Sequence, residues 1–311
     1  MSSVTTTTPN KQRTNLFSGL SLRRKRVLLA YLLVAPVVIW RLFTTIYPFI
    51  ATLLLSFQDN SPIRRKAEYI GLTNYQNLLQ DTRVRESLGF TLSFTVISVA
   101  IQIVLGLGIA EMLNRRFRGR NLVRALNLLP WAMPAIVIGT AGIWIFNADY
   151  GLVNDIIWRL TEQRPLWLVE PWNAKLAVVL TDVWKNTAFV VVIFLGGLQG
   201  ISAELYEAAK IDGANGLQRY RFITIPLLLP LILSMTIFIS IFRVLTFEII
   251  YALTAGGPGS ATSVLSYAVY LEGFRVLNFG YASSIAMLLF VIVLIIGITG
   301  FFFLRRAVSR L

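Results

Sequence analysis

The sequence predicts an all-α, polytopic membrane protein with six transmembrane helices and one long polar loop that forms short helices. Hydrophobic residues make up 56% of the 311 residues and charged residues only 14%, whereas soluble domains carry about 25% charged residues. Apolar segments long enough to span a bilayer recur along the chain. The polar stretch after the fourth segment is about 25 residues long, although a connector between helices usually needs only a few residues.

Six segments satisfy the length of a membrane span, which is about 20 apolar residues. The first follows the basic run Arg23–Arg26. It is too long for a signal peptide and no small-residue cleavage site follows it, so we expect an uncleaved span. Residues 1–26 are predicted to be a cytoplasmic tail, disordered to about residue 22, and residues 27–306 the transmembrane domain. The predicted spans cover residues 28–56, 88–112, 123–146, 175–198, 226–250 and 282–304.

Lysine and arginine are distributed unevenly among the connections. Most lie in the tail, the connection around Arg116, the polar loop 200–225 and the segment after the last span. Because cytoplasmic loops are enriched in Lys and Arg, we expect both termini and the polar loop in the cytoplasm. The same rule accounts for the net charge of +14 without a nucleic-acid partner.

The composition also argues against catalysis by this chain. It contains neither cysteine nor histidine, which removes disulfides, thiolate metal sites and the commonest general base. A GxxxxGK[ST] phosphate-binding loop is also missing. We therefore expect no catalytic residues, no metal site and no cofactor, and we expect no nucleotide hydrolysis by the chain itself.

The polar loop has the signals of two short helices joined at a glycine. Ser202 can cap a helix that carries Glu204 in its first turn, and good or fair helix formers follow. Gly213 is expected to end this helix in a left-handed turn. A second helix over about 217–222 would lead to Pro226, a residue suited to a first helical turn. The pattern favours a docking element for a partner protein, with a solvated amphipathic loop as the alternative.

Several short motifs occur together in this chain. The polar loop contains Glu207, Ala208, Ala209, Asp212, Gly213 and Ala214, then Ile223-x-Ile225-Pro226 and Pro230. Elsewhere stand Ala35-Pro36, Tyr47-Pro48, Gly71-Leu72-x-Asn74-Tyr75, Leu195-x-Gly197-Leu198-Gln199 and Tyr251-x-Leu253-Thr254-x-Gly256-Gly257-Pro258. Together, over about residues 28–306, they resemble the permease subunits of binding-protein-dependent ABC importers of the sugar type. In that family the polar loop is the cytoplasmic EAA coupling loop.

This resemblance implies a non-catalytic transport subunit in the cytoplasmic (inner) membrane of a prokaryote. Its partners would be a second related permease, an ATPase dimer, an extracytoplasmic solute-binding protein, a sugar-like solute and membrane lipid. Glu207 is then the expected polar contact with the ATPase, and Gly213 sets the turn that lets the helix enter the ATPase cleft. Departures from the family pattern at Leu217, Ala188-Phe189 and Phe247-Glu248 could alter substrate choice or the fit to one ATPase.

Charged side chains inside predicted spans are costly, so they indicate either function or pairing. Asp182 and Lys185 are three residues apart and share a helix face, and pairing between them is the favoured interpretation. Arg243 and Glu248 are five residues apart and poorly aligned for such a pair.

Candidates for the substrate pathway combine aromatic rings with amides. A sugar pocket needs convergent polar groups in an otherwise apolar site. Trp184 and Asn186 are the first candidates, followed by Asn147 and Trp144. Tryptophan near the end of a span also serves as an interfacial anchor, which is the simpler interpretation of Trp144 and Trp184.

A secondary transporter and a membrane-embedded enzyme are the alternative functions. Secondary transporters often contain internal repeats, and neither a repeat nor a proton-relay series is evident here. No paired-carboxylate cluster favours an enzyme. A sugar, an oligosaccharide, a polyol and a glycerol phosphate ester all fit the pattern as solutes.

Overall fold

The computed structural model describes residues 21–63 and 66–309, and the chain divides into two units, residues 1–51 and 52–311. Helix α1 spans Leu22–Leu55. It therefore includes the basic run Arg23–Arg26, which the sequence had assigned to the tail. Most of the predicted tail lies outside the described residues.

The second unit consists mainly of helices, as predicted. Its long helices are α3 (Thr82–Asn114), α7 (Pro171–Gln199), α10 (Ile225–Val244) and α13 (Phe279–Val308). Its shorter ones are α2 (Thr73–Gln80), α4 (Arg120–Ala132), α5 (Ala135–Ile145), α6 (Leu152–Thr161), α8 (Ala203–Ile211), α9 (Gly216–Arg219), α11 (Glu248–Leu253) and α12 (Leu265–Tyr270). Among the described residues, five helices are long and apolar enough to cross a membrane, and α4 with α5 is a bent pair that would make a sixth span.

The predicted span 123–146 is wrong as one continuous helix. It is divided between α4 and α5, which meet at an angle of 93°. Met133 is extended, with ψ 141°, because a residue before proline is disfavoured in the α-helical region. Pro134 then starts α5. The span therefore breaks at the Met133-Pro134 step.

The predicted span 226–250 has the wrong bounds at both ends. Helical structure begins at Gly216, because α9 continues through a π-helical turn, Tyr220–Thr224, into α10. Helix α10 ends at Val244, and the chain leaves the helix before α11 begins. The Thr246 carbonyl accepts a hydrogen bond from the Ser266 hydroxyl, so this backbone group is satisfied outside a helix.

A small β-hairpin follows α1 and was not predicted. Strands β1 (Gln58–Ser61) and β2 (Lys66–Tyr69) are antiparallel, with Gln58 opposite Tyr69. The Asn74 amide donates to the carbonyls of Ser56 and Gln58, at 2.9 Å each. The Tyr75 and Ser56 hydroxyls lie 2.7 Å apart. Asn74 and Tyr75, noted above as part of a family motif, therefore hold the hairpin to α2.

The ends of the long helices in the second unit meet at two places. At one, the Tyr281 hydroxyl of α13 donates to Asp81, which caps α3, at 2.9 Å. We call it the hairpin end, because α13 also packs on β1 there. At the other, Leu113 of α3 shares an apolar cluster with Leu198 of α7 and Leu228 of α10. We call it the loop end, because the polar loop joins α7 to α10.

Helices α3 and α7 run parallel and form the most extensive helix pair. A Cβ atom on Gly106 would lie 2.6 Å from Val190 Cγ1. Small residues allow such close approach between membrane helices. This packing places Gln102 of α3 and Asp182 of α7 at the same depth in the bundle.

Replacing Gly280 with alanine should destabilise the second unit. The new Cβ would lie 1.9 Å from the Gln58 carbonyl oxygen, so α13 and β1 must separate, at a cost of about 1–3 kcal/mol. Gly297→Ala in the same helix is the matched control, because its Cβ would meet nothing within 4 Å. Thermal unfolding of the purified protein should show a lower midpoint for Gly280→Ala only; equal midpoints would contradict the close packing.

Candidate functional site

The polar loop begins with a capped helix, α8. The Glu204 backbone N–H donates to the Ser202 hydroxyl at 3.3 Å, which confirms the predicted cap. Helix α8 presents Glu207 and Ala208 to solvent, and Ala209 is half-buried. The first part of the loop is therefore a regular helix whose predicted contact residues are accessible.

Gly213 ends α8 in the left-handed conformation that the sequence predicted, with φ +79°. The Ala214 N–H donates to the Ala209 carbonyl at 2.8 Å, and the Gly213 N–H donates to the Lys210 carbonyl at 3.0 Å. These two bonds define a Schellman motif, which satisfies the last carbonyls of a helix. Asp212 occupies the C-cap position. The glycine is needed for its backbone conformation, since a Cβ there would meet nothing within 4 Å.

The second half of the loop differs from the prediction of a separate short helix. Asn215 and Gln218 form a reciprocal capping box at the start of α9. The helix then passes through the π turn into α10. The Tyr206 hydroxyl of α8 lies 2.9 Å from the Thr224 hydroxyl. This contact, which no sequence signal indicated, joins the two arms of the loop directly below α10.

Large apolar side chains of the loop are exposed. The exposed fractions are 46% for Leu205, 87% for Ile211, 75% for Leu217 and 70% for Phe222. Exposed apolar groups around a helix with accessible Glu207 are typical of a protein contact surface.

A buried ion pair lies between the long helices. Asp182 of α7 is fully buried and pairs with Arg243 of α10. Gln102 of α3 donates to the same carboxylate at 2.8 Å, and Asn186 donates to it at 3.0 Å. The predicted pairing of Asp182 with Lys185 is therefore wrong. Arg243 is the partner because the fold places α10 beside α7.

Lys185 stabilises the break between α4 and α5 instead. Its ammonium donates to the carbonyls of Met133 at 2.7 Å and Trp131 at 3.0 Å, with a longer contact to Pro130 at 3.5 Å. The last carbonyls of a helix lack intrahelical partners and interact favourably with a cation. One lysine thus satisfies backbone groups that the bend exposes.

A cavity of about 180 Å³ adjoins the ion pair. Its polar lining residues are Gln102, Asn186 and Arg243. Its aromatic lining residues are Trp131, Phe189, Phe238 and Phe242, whose successive ring centroids are 5.4, 6.1 and 4.7 Å apart. Gln102 Oε1 and Arg243 Nε are buried and have no hydrogen-bond partner among the described residues.

A second cavity of about 300 Å³ shares Asn186 and Arg243 with the first and is also lined by Lys185, Phe247 and Glu248. The two cavities therefore adjoin at Asn186 and Arg243, and the second lies towards the hairpin end of α10. The sequence noted Arg243 and Glu248 as charged residues but could not show that both face one region.

The four predicted substrate residues are not brought together. Asn186 lines both cavities. Trp184 and Trp144 are 55% and 70% exposed, and neither lines these cavities. The Asn147 side chain accepts from the N–H groups of Asp149 and Tyr150 and so stabilises a turn. The aromatic residues that line the first cavity with Asn186 are instead Trp131, Phe189, Phe238 and Phe242.

Membrane-length helices around a cavity lined by aromatic and polar side chains, with a capped and exposed loop at one end, are typical of a transmembrane subunit of a transporter. Residues 102–310 match the family described as binding-protein-dependent transport system inner membrane component. The chain belongs to this family and is a permease subunit of an ABC importer. This result favours an importer over the secondary-transporter alternative.

Relatives match nearly the whole chain. It is 38% identical over 280 residues to the trehalose/maltose transport system permease protein MalF of Thermococcus litoralis, covering 90% of this chain and 94% of that one. It is 37% identical over 264 residues to the sulfoquinovosyl glycerol transport system permease protein SmoG of Agrobacterium fabrum, covering 85% and 86%.

A solved structure has the same fold. In a bacterial alginate ABC transporter in complex with an alginate pentasaccharide-bound periplasmic protein, one chain superposes with a TM-score of 0.78. The match covers 89% of this chain and 94% of that one at 22% sequence identity.

Replacing Arg243 with methionine should destabilise the protein by about 3–5 kcal/mol, because Asp182 would keep a buried charge without its partner. The double variant Asp182→Leu/Arg243→Met should recover most of this loss, since it removes both charges. Arg159→Ala is the control, because its pair with Asp155 is largely exposed and is worth about 0.5 kcal/mol. Thermal unfolding in detergent measures the series, and a double variant no more stable than Arg243→Met would contradict the assignment.

Proposed function

We propose that this permease subunit passes a sugar or sugar-like solute across the cytoplasmic membrane of a prokaryote, driven by ATP hydrolysis in a separate subunit. The observation that carries the proposal is the path from the polar loop to the cavity. Tyr206 of the loop contacts Thr224 at one end of α10. Arg243, near the other end of α10, lines the cavity.

Helix α10 is the element that transmits motion in this proposal. Its 20 residues span about 30 Å at 1.5 Å per residue. The Schellman motif at Gly213 and the capping box at Asn215 stiffen the loop, so a displaced α8 moves the start of α10 with it. Arg243 then moves relative to Asp182 of α7, which changes the cavity between two states.

The polar loop docks on the ATPase subunit in this proposal. Glu207 supplies a charged contact to a basic group, and Ala208 and Ala209 allow a close backbone approach. The turn of Asp212, Gly213 and Ala214 directs α8 into the partner's cleft. The exposed Ile211 and Leu217 support this role, because both would otherwise remain in water.

The cavity supports a sugar-like solute. Aromatic rings offer apolar faces, and Gln102, Asn186 and Arg243 offer hydrogen-bonding groups, which is the combination expected of a small-molecule site. Arg243 Nε is buried and has no hydrogen-bond partner within the described ranges, so a solute oxygen that reached it would supply one. Two relatives carry trehalose/maltose and sulfoquinovosyl glycerol in their names, which supports the same class of solute.

The assembly proposed here contains further subunits. A second related permease completes the pathway, two ATPase subunits hold the loops, and an extracytoplasmic binding protein delivers the solute. The distribution of Lys and Arg supports a cytoplasmic position for both termini and the polar loop in this proposal. The hairpin end then faces the binding protein, and this chain performs no hydrolysis of its own.

Glu207→Ala and Gly213→Val should each uncouple uptake from ATP hydrolysis while the complex still assembles. A β-branched residue at φ +79° is strained by about 1–3 kcal/mol, so the turn must rearrange. We expect solute uptake per ATP hydrolysed to fall by at least about tenfold, measured in proteoliposomes that contain the complete transporter.

Gly216→Ala is the control for these loop variants, because Gly216 has an ordinary backbone conformation and a Cβ there would meet nothing within 4 Å. It should transport normally. If Glu207→Ala and Gly213→Val also couple normally, the loop does not carry the coupling.

Asn186→Ala should raise the KM for uptake by roughly five- to tenfold, the equivalent of one hydrogen bond of about 1 kcal/mol or slightly more. Trp184→Ala tests the other leading sequence candidate: its side chain does not line the cavity, so an unchanged KM is expected. Uptake assays with matched membrane levels of each variant measure both. A raised KM for Trp184→Ala with a normal value for Asn186→Ala would place the solute elsewhere, without changing the family or the role of the loop.

A further inference from the structure

The turn between α3 and α4 concentrates positive charge at the loop end. Arg115, Arg116 and Arg118 are exposed and Arg120 is half-buried. Among the residues that the structure describes, no carboxylate lies within ion-pair distance of these four side chains. Glu111 interacts electrostatically with Arg115. The four arginines still outnumber this carboxylate, and their excess positive charge attracts an anionic partner.

The turn is held in a defined shape. Gly119 has φ +82°, which allows the chain to reverse between the helices. The Arg124 guanidinium of α4 donates to the Leu113 carbonyl of α3 at 2.7 Å, and so fixes one helix to the other. An open groove of about 570 Å³ runs along this turn, lined by Arg116, Phe117, Arg120 and Leu122 among others. Arg116 and Arg120 therefore border a shallow, open groove on a turn whose backbone shape is defined.

The position of the groove favours lipid over a protein partner. Only residues 115–119 separate α3 from α4, so the arginines cannot extend far from the apolar helices. Residues 200–215 by contrast separate α7 from the helical segment that begins at Gly216, which gives the coupling loop a longer reach. Met112 and Leu122, on either side of the turn, are 66% and 65% exposed. Cationic side chains beside exposed apolar ones at the edge of a span match an anionic lipid, whose phosphate and acyl chains are adjacent.

We propose that this groove is a binding site for an anionic phospholipid of the leaflet at the loop end. Arg116 and Arg120 hold the phosphate oxygens, and Phe117 and Leu122 contact the glycerol and the upper acyl chains. Guanidinium groups suit this ligand because they match phosphate geometry with paired donors. The bound lipid would hold the α3–α4 turn at the membrane surface while the neighbouring coupling loop moves.

The test compares two variants that each remove two positive charges at the loop end, Arg116→Gln/Arg120→Gln and Arg305→Gln/Arg306→Gln. The second pair lies in the last turn of α13, away from the groove. The complete transporter is placed in nanodiscs of phosphatidylcholine mixed with phosphatidylglycerol, and the relative affinity for phosphatidylglycerol is measured by native mass spectrometry. A basic residue near an anionic surface contributes roughly fivefold, so the groove variant should lose about 25-fold in preference while the α13 variant retains most of it.

Equal preference for phosphatidylglycerol in the wild type and the groove variant would overturn the proposal. Loss of the ATPase subunit from the groove variant, with lipid preference unchanged, would identify a protein contact and also overturn it. Competition by inorganic phosphate as effective as that by phosphatidylglycerol would show a free-anion site rather than a lipid site. Size-exclusion chromatography of each variant complex establishes that it is assembled before lipid binding is compared.

Discussion

The pairing of Asp182 with Arg243 constrains the rest of the bundle. A fully buried carboxylate is stable between membrane helices only when a cation and further donors surround it. Here the cation comes from α10 and the other donors from Gln102 of α3 and Asn186 of α7. Three helices must therefore meet at one depth. The close approach of α3 to α7 at Gly106 makes this meeting sterically feasible.

The same pair links the cavity to the helix that starts at the polar loop. Helix α10 starts at the rigid polar loop and ends beside the cavity, so its position is common to both. A buried pair also offers two discrete states, formed or broken, rather than a continuum of partial contacts. In the proposed transport cycle the cavity is closed to one side of the membrane while it is open to the other, and two discrete states of the pair suit that requirement. Lys185 fixes the neighbouring α4–α5 bend through its hydrogen bonds to the carbonyls of Trp131 and Met133.

Local signals accounted for most of the polar loop. The cap at Ser202 and the left-handed turn at Gly213 depend on residues within five positions of one another, and both were predicted. The apolar lengths located the long helices because each span is one continuous stretch of the sequence. Pro134 was also a local signal, but a proline inside an apolar run fits a tolerated kink as well as a break. The 93° bend therefore went unpredicted.

The sequence by itself determined the class of protein, the approximate spans and the shape of the polar loop, because apolar length and helix capping act over one to seven helical turns. Only the tertiary structure decided which charge neutralises Asp182, which backbone carbonyl Lys185 binds, and that Tyr206 contacts Thr224. Each of these pairs is separated by many residues in the chain, up to 61 for Asp182 and Arg243. Such contacts depend on which helix faces are turned towards each other, and helical periodicity alone does not specify the neighbour of a face.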